Sequence, residues 1–203
     1  KETEGYVDFD YFKIEDKISD CRWADVCYAD DELEGHKLDI CLPDTGKSSH
    51  KVVVLIYGSA WFANNMKQNA FQVFGRSLLD KGFAVVSINH RSSRDAKFPA
   101  QINDVKAAIR FIRANAAKYK LDTSFIGITG FSSGGHLASL AGTTNGVKSY
   151  TIGDKTVDLE GNVGEYFSFS SRVDAVVDWF GPIDMTRMEN CNTLKGLILL
   201  KQL

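Results

Sequence analysis

The five residues from Gly130 to Gly134, Gly-Phe-Ser-Ser-Gly, carry the strongest chemical signal in this sequence. They stand where a predicted strand ending at Thr129 meets a predicted helix beginning at Ser133. A serine at the centre of such a strand–turn–helix is typical of a nucleophile elbow, because the tight turn lifts its Oγ clear of the backbone. We therefore predict that Ser132 is a catalytic nucleophile and that the two glycines leave room for its turn.

A second segment, Tyr57-Gly58-Ser59-Ala60-Trp61, follows the first continuous β-branched strand. Small residues at this point let the backbone approach a substrate carbonyl. We expect the amide N–H groups of Ser59, Ala60 and Ser133 to form an oxyanion hole. In serine hydrolases the loss of one such donor costs about 3 to 4 kcal/mol of transition-state stabilisation.

Strands and helices alternate along the chain from Lys51 onward and would position these segments. The predicted buried strands are Lys51 to Tyr57, Phe83 to Ile88, Phe125 to Thr129 and Val173 to Phe180. The predicted helices are Asn65 to Lys81, Pro99 to Tyr119 and Ser133 to Ala141. On the second helix, Lys106, Arg110 and Arg113 fall away from the apolar face. This alternation predicts right-handed βαβ crossovers and a mainly parallel sheet.

The remaining segments are predicted to lie at the edge of that sheet or outside it. An antiparallel hairpin at one edge is predicted from two segments, Asp25 to Tyr28 and Lys37 to Leu42. The Gly-rich stretch from Gly142 to Ser171 is predicted to leave the sheet as a long connecting segment, here called the excursion, with a hairpin around Glu160-Gly161-Asn162. We expect one incomplete α/β domain over 1–203, with 1–24 as an N-terminal extension.

Composition excludes several other classes of protein. The chain has 203 residues, 44% of them hydrophobic, which is enough for a large core and argues against disorder. Its 24 basic and 26 acidic residues leave a net charge of -2, which gives no broad electrostatic reason to bind nucleic acid or an anionic membrane. No apolar run approaches the roughly 20 residues of a transmembrane helix. No Gly-x-Gly-x-x-Gly follows the first parallel strand, which argues against nucleotide binding.

The four cysteines are Cys21, Cys27, Cys41 and Cys191. None forms a Cys-x-x-Cys and no histidine has zinc-ligand spacing, so we predict no metal site. Two states remain open: buried free thiols, or one bridge between Cys27 and Cys41, which lie in strands that could pair. A bridge would indicate an oxidising compartment.

Together these motifs resemble those of α/β-hydrolases of the esterase/lipase type, in the branch of bacterial acetyl- and feruloyl-esterase-like enzymes. The resemblance covers Asp25 to Asp184. It rests on Tyr57 to Trp61 at the family's His-Gly-Gly-x-Trp motif, Asn89-His90-Arg91 at Asn-Tyr-Arg, Phe98-Pro99-Ala100-Gln101 with Asp104, Gly130 to His136, and Trp179 to Asp184. Tyr57, Ser59, Ala60 and His90 depart from the family's residues, but backbone donors survive such changes.

The resemblance implies an α/β-hydrolase fold, with a mostly parallel sheet and helices on both faces. It implies a serine carboxylic-ester hydrolase that works through an acyl-enzyme on Ser132 without a cofactor. The implied substrates are small or polysaccharide-linked esters with acetyl or aromatic acyl groups, and a secreted or periplasmic location is favoured. The alternatives are an arylformamidase-like amide hydrolase of the same fold and an inactive fragment or pseudo-hydrolase binding module. The oligomeric state stays open.

The rest of a catalytic triad is harder to find in the sequence. In this fold the acid and then the histidine follow the nucleophile. His136 alone follows Ser132, and it is too near to be the base. His90 would lie two strands away, about 10 Å off, and is expected at most to line the pocket with Trp61. Asp184 is a candidate acid, although the resembling branch places its acid one strand later.

We therefore expect the chain to lack the triad histidine and acid and the last strands of the sheet, as a truncated form of a full hydrolase would. The two remaining histidines, His36 and His50, precede the parallel strands and are expected on the surface.

Overall fold

The computed structural model of the protein describes residues 21–185 and 187. Its strands are β1 (Cys21–Cys27), β2 (Lys37–Cys41), β3 (His50–Ile56), β4 (Ala84–Ile88), β5 (Leu121–Phe131), β6 (Ser149–Ile152), β7 (Lys155–Asp158) and β8 (Ala175–Trp179). Its α-helices are α1 (Lys67–Ala70), α2 (Arg76–Asp80), α3 (Ala100–Ala114) and α4 (Ser133–Thr143). A π-helical turn, Phe71–Gly75, joins α1 to α2, and a short 3₁₀ helix, Glu34–His36, precedes β2.

Six strands form one sheet in the order β1-β2-β4-β3-β5-β8. The last four of these are mutually parallel, and β2 runs antiparallel to both β1 and β4. The mostly parallel sheet with an antiparallel N-terminal hairpin is therefore confirmed. The predicted spacing also holds, because β3 lies between β4, which leads to His90, and β5, which leads to Ser132.

Both faces of the sheet are covered, and β3 shows why its sequence is continuously apolar. Val52, Val54 and Ile56 contribute to one core cluster with residues of α3 and α4. Val53 and Leu55 contribute to a second cluster on the other face, with Phe71 and Leu79 from the helical segment between β3 and β4. Successive strand residues face opposite sides, so a strand buried on both faces needs apolar residues at every position.

The amphipathic helix ends earlier than its apolar pattern predicts. α3 stops at Ala114, and Asn115 closes it by donating both its backbone N–H and its Nδ2–H to Phe111 O, each at 3.0 Å. The predicted last helical residue, Tyr119, packs instead against Trp23, with ring centroids 5.1 Å apart. Tyr119 is buried in the core although it lies beyond the end of α3. Its apolar character therefore indicates burial and does not show that the helix continues to this residue.

The prediction that β8 is buried is wrong. Val177 and Trp179 are 50% and 47% exposed. β8 pairs with β5 on one side, and no strand in the described part of the chain pairs with its other side. An apolar run indicates a strand suited to burial, but the sequence of the strand alone does not state what covers it.

The excursion after α4 contains a hairpin, but not the predicted one. β6 and β7 pair around Gly153, whose φ of 60° suits a tight turn. Glu160 lies in the following loop and accepts hydrogen bonds or ion pairs from Lys106 and Arg110. These two cations are almost fully buried, at 0% and 1% exposure, because the excursion covers the polar face of α3. The apolar periodicity placed these cations off the apolar face but did not predict that the excursion would bury them.

The disulfide differs from the one considered from sequence, which joined Cys27 to Cys41. Cys21 and Cys41 face each other in the β1–β2 register and form a disulfide, whereas Cys27 is opposite Lys37 and is free. β1 begins at Cys21, inside the stretch expected to precede the domain. Cys191 lies outside the described residues. No helix in residues 21–185 is long and apolar enough to cross a membrane.

Candidate active site

Ser132 occupies a strained turn between the end of β5 and the first residue of α4. Its φ of 54° and ψ of −126° are unfavourable for any residue with a Cβ. The turn is held on both sides, because Ser132 N–H donates to Trp179 O at 3.0 Å and Ser132 O accepts from His136 N at 3.1 Å. This is the strained strand–turn–helix that the Gly130 to Gly134 pattern predicts, and Ser132 is half-buried in it.

The two elbow glycines leave space for this turn. A Cβ on Gly130 would lie 2.5 Å from the carbonyl carbon of Gly134, which is shorter than any normal contact. A Cβ on Gly134 would collide with the carbonyl oxygens of Ile56 and Tyr57 at the end of β3. A side chain at either position would therefore push α4 away from the sheet and displace Ser132.

The turn after β3 approaches Ser132 closely. A Cβ on Gly58 would lie 2.8 Å from the Cβ of Ser132. Two residues of this turn, Ala60 and Trp61, have positive φ values of 50° and 59°. The segment proposed from sequence as an oxyanion hole thus lies beside the proposed nucleophile.

The three predicted oxyanion donors differ in their contacts. Ser59 N–H donates to Ser133 Oγ at 2.9 Å, across the gap between the two turns. The amides of Ala60 and Ser133 make no hydrogen bond to another described residue. Ser133 begins α4, where unpaired N–H groups and the helix dipole favour negative charge. The arrangement brings Ser59 and Ser133 together and leaves the N–H groups of Ala60 and Ser133 free to donate to an anion.

The candidate pocket residues Trp61 and His90 both lie inside the protein. Trp61 is 3% exposed and meets the ring of His136 edge-on, with centroids 5.2 Å apart. His90 is fully buried and stacks on Tyr57 at 4.8 Å. His90 Nδ1–H donates to Arg91 O at 2.8 Å, and its Nε2 has no partner among the described residues.

Within the described residues, no histidine side chain makes a hydrogen bond to the side chain of Ser132. Burial lowers the pKa of His90 and of His136, so both favour the neutral form. His36 and His50 are 3% and 4% exposed, so the expectation that they lie on the surface is wrong.

The candidate acid Asp184 and the neighbouring acid Asp178 both have other partners. Asp184 is exposed and pairs with Arg187 three residues later, at 3.1 Å. Asp178 accepts from Gly181 N–H and from Ser139 Oγ, each at 2.7 Å, and so ties the turn after β8 to α4. The charge of Asp178 acts on His136 and opposes the lowering of its pKa by burial, but no hydrogen bond joins the two side chains within the described residues.

Sequence reasoning missed the network that fixes the loop after β4. Asp104 on α3 accepts Arg91 N–H at 2.8 Å and the Arg91 guanidinium at 2.6 Å. It also accepts His36 Nε2–H at 3.2 Å. The hydrogen bond to Asp104 raises the pKa of Arg91 further above its ordinary value. Asp104 could have indicated this network, because it is an acidic residue within the predicted amphipathic helix. A carboxylate that becomes buried on a helix needs hydrogen-bond or ion-pair partners.

The sheet order and the serine elbow define an α/β-hydrolase. The BD-FAE family model matches residues 38–200, and the chain belongs to the BD-FAE family. Esterase LipQ of Mycobacterium tuberculosis is 33% identical over 143 residues, which are 70% of this chain and 31% of that protein. The probable carboxylic ester hydrolase LipM of the same organism is 33% identical over 75% of this chain and 32% of its own length.

Two solved structures are more similar. A chain described as bifunctional GH43-CE from Bacteroides eggerthii is 91% identical with a TM-score of 0.83, over 88% of this chain and 25% of that one. A truncated form of a carbohydrate esterase from gut microbiota is 64% identical with a TM-score of 0.81, over 83% of this chain and 59% of that one. The chain thus spans about a third of the curated relatives named above.

Proposed function

We propose that the protein hydrolyses carboxylic esters through an acyl-enzyme formed on Ser132. The observation that carries this proposal is the strained backbone of Ser132 at the end of β5, beside the β3 turn and at the N-terminus of α4. In this mechanism Ser132 Oγ attacks the acyl carbon, the alcohol leaves, and water then releases the acid. Similarity to esterases of the same family supports it.

The proposed oxyanion hole uses the free amides of Ala60 and Ser133. Both amides are unpaired among the described residues, and the N-terminus of α4 adds a favourable dipole for negative charge. Ser59 N–H is held by Ser133 Oγ, so it would join the hole only when that hydroxyl rotates away.

The proposed general base is not one of the four histidines in this sequence. None of their side chains makes a hydrogen bond to the side chain of Ser132 within the described residues. We propose that the base belongs to a part of the protein beyond this sequence. Without it, Ser132 is expected to lose on the order of 10⁶-fold in turnover.

We propose that the ester is carried by a carbohydrate hydroxyl, with an acetyl or aromatic acyl group. The similarity to a carbohydrate esterase at 64% identity supports this substrate class. No metal or cofactor takes part in the proposed steps, because the serine, the amides and a histidine base suffice for acyl transfer.

The test supplies the missing base from solution. The 203-residue chain is incubated with p-nitrophenyl acetate and increasing imidazole, and peptide mass mapping locates the acetyl group. We expect acetylation at Ser132 that grows with imidazole, over a background measured with the Ser132→Ala variant. The Ser168→Ala variant, which removes an exposed loop hydroxyl, should acetylate like the parent chain.

Acetyl groups spread evenly over several serines, or equal p-nitrophenol release by the parent and Ser132→Ala chains, would contradict the proposal. Turnover without imidazole that Ser132→Ala abolishes would keep the ester chemistry but refute the assignment of the base to another part of the protein.

A further inference from the structure

A groove of about 380 Å³ lies between α3 and the excursion that joins α4 to β8. None of the predicted catalytic or oxyanion residues lines it. The excursion is firmly anchored there by basic side chains of α3 that bind its backbone. Lys106 Nζ donates to Thr144 O at 3.1 Å, and Arg113 Nε donates to Ser170 O at 2.9 Å. The groove is therefore a built feature of the fold.

The two carboxylates in the groove are satisfied internally. Glu160 pairs with Arg110 and with Lys106, and it also accepts Ser171 Oγ–H at 2.9 Å. Asp158 Oδ1 accepts two backbone amides of the following turn, at 3.1 and 2.9 Å. Glu160 is therefore paired already, and Asp158, which keeps its negative charge, makes no ion pair with the other groove cations among the described residues.

Two cations of the groove have no such partner. The side chains of Lys148 and Arg172 are exposed, and neither makes a hydrogen bond or an ion pair with another residue in 21–185 or 187. A terminal nitrogen of Arg172 lies 3.4 Å from where a Cβ on Gly146 would stand. The guanidinium therefore lies beside Gly146, which also lines the groove. Arg110 is 1% exposed, lines the same groove, and has an Nε without a partner among the described residues.

The groove also presents two aromatic rings to solvent. Phe167 and Phe169 line it and are 56% and 41% exposed. The Arg110 guanidinium lies 5.4 Å from the Phe167 ring centre, which fixes that ring beside the cations. Exposed apolar surface rimmed by polar groups marks an interaction site. A matching ligand needs an anionic group for the cations and an apolar face for the rings.

We propose that this groove binds an acidic saccharide, a sugar whose ring carries a carboxylate. The carboxylate would pair with Arg172, which offers a planar fork for two oxygens, and with Lys148. The C–H face of the sugar ring would cover Phe167. A neutral sugar would leave the two cations unpaired, and a small inorganic anion would leave the rings exposed. The proposal is independent of ester hydrolysis at Ser132.

The test is calorimetric titration of the 203-residue chain with a galacturonic acid trimer, against an uncharged galactose trimer. We expect the acidic trimer alone to bind, with an affinity that falls as salt rises. Arg172→Gln and Phe167→Ala should each weaken binding about tenfold or more. Lys81→Gln and Tyr150→Ala, which change an exposed lysine and an exposed aromatic outside the groove, should bind like the parent.

Four outcomes would overturn the proposal. The first is no heat of binding with the acidic trimer up to millimolar concentration, and the second is equal binding of the uncharged trimer. The third is unchanged affinity in Arg172→Gln, Phe167→Ala and a further Lys148→Gln variant. The fourth is binding of inorganic phosphate at least as tight as that of the acidic trimer, which would assign the cations to a simple anion and leave the rings without a role.

Discussion

At the scale of single residues, the site depends on backbone conformations that side chains resist. Ser132 has a positive φ although it is not glycine, and Ala60 and Trp61 share this property in the facing turn. The Gly-Phe-Ser-Ser-Gly pattern was sufficient to predict the elbow, because only a tight turn needs glycines at both positions. The hydrogen bond from Ser59 to Ser133 Oγ could not be predicted, since it joins residues 74 positions apart through one side-chain rotamer.

The strain at Ser132 predicts that removing the Cβ stabilises the fold. For glycine the observed φ and ψ are the mirror image of a favourable conformation. Ser132→Gly should therefore exceed Ser132→Ala in free energy of unfolding by about 1 kcal/mol, after the extra entropy of glycine in the unfolded chain is subtracted. Urea unfolding of the two variants measures this difference. Equal stabilities would mean that the elbow stores no strain.

At the scale of elements, the sequence predicted the order of strands and helices but not what covers each of them. The β6–β7 hairpin had a readable signal, an alternating Thr-Ile-Gly-Asp-Lys-Thr-Val with a Gly-Asp turn, which the prediction around Glu160 overlooked. The burial of Lys106 and Arg110 had none, because their partners are mostly backbone carbonyls of a distant loop. Periodicity predicts which face is apolar, whereas tertiary packing decides which polar groups are buried.

The link between β1 and β2 predicts a dependence of stability on oxidation. Cys21 and Cys41 close a segment with a sequence separation of 20. Cys21→Ser should lower the free energy of unfolding by about 3 kcal/mol under oxidising conditions, because the unfolded chain regains the freedom that the loop removed. Urea unfolding with and without a reductant is the measurement.

Cys27→Ser is the matched control, because Cys27 is free and its Sγ–H donates to Asp31 O, a bond that a serine hydroxyl can also make. That variant should remain sensitive to reductant, whereas Cys21→Ser should not. A parent chain that unfolds identically in both conditions would refute the prediction.

At the scale of the whole molecule, two buried histidines, His36 and His90, make the free energy of unfolding depend on pH in opposite directions. Burial alone would lower the pKa of His36, but its bonds and charge pairing with Asp104 and Asp31 outweigh burial and raise that pKa above 6.5. Its stabilisation is therefore complete below about pH 6.5 and is lost as pH rises through the raised pKa. Burial lowers the pKa of His90, so its contribution is instead lost as pH falls below about 6.5.

A His36→Gln variant separates these contributions. Glutamine keeps a polar group near Asp104 but does not titrate, so the variant should lose less stability than the parent chain as pH rises above about 6.5. Urea midpoints across that range provide the comparison, with His50→Gln as a control for loss of another buried histidine. Parallel curves for the parent and His36→Gln chains would show that folding does not shift the pKa of His36.

The strand order β1-β2-β4-β3-β5-β8 also determines when each strand can pair in a chain that folds as it leaves the ribosome. The hairpin β1–β2 comes out first, yet its neighbour in the sheet is β4 and not β3. It must remain an isolated pair of strands until Ala84–Ile88 has emerged, and such a pair is only marginally stable in water. The arrival of β4 beside both β2 and β3 is then the event that joins the N-terminal hairpin to the growing parallel sheet.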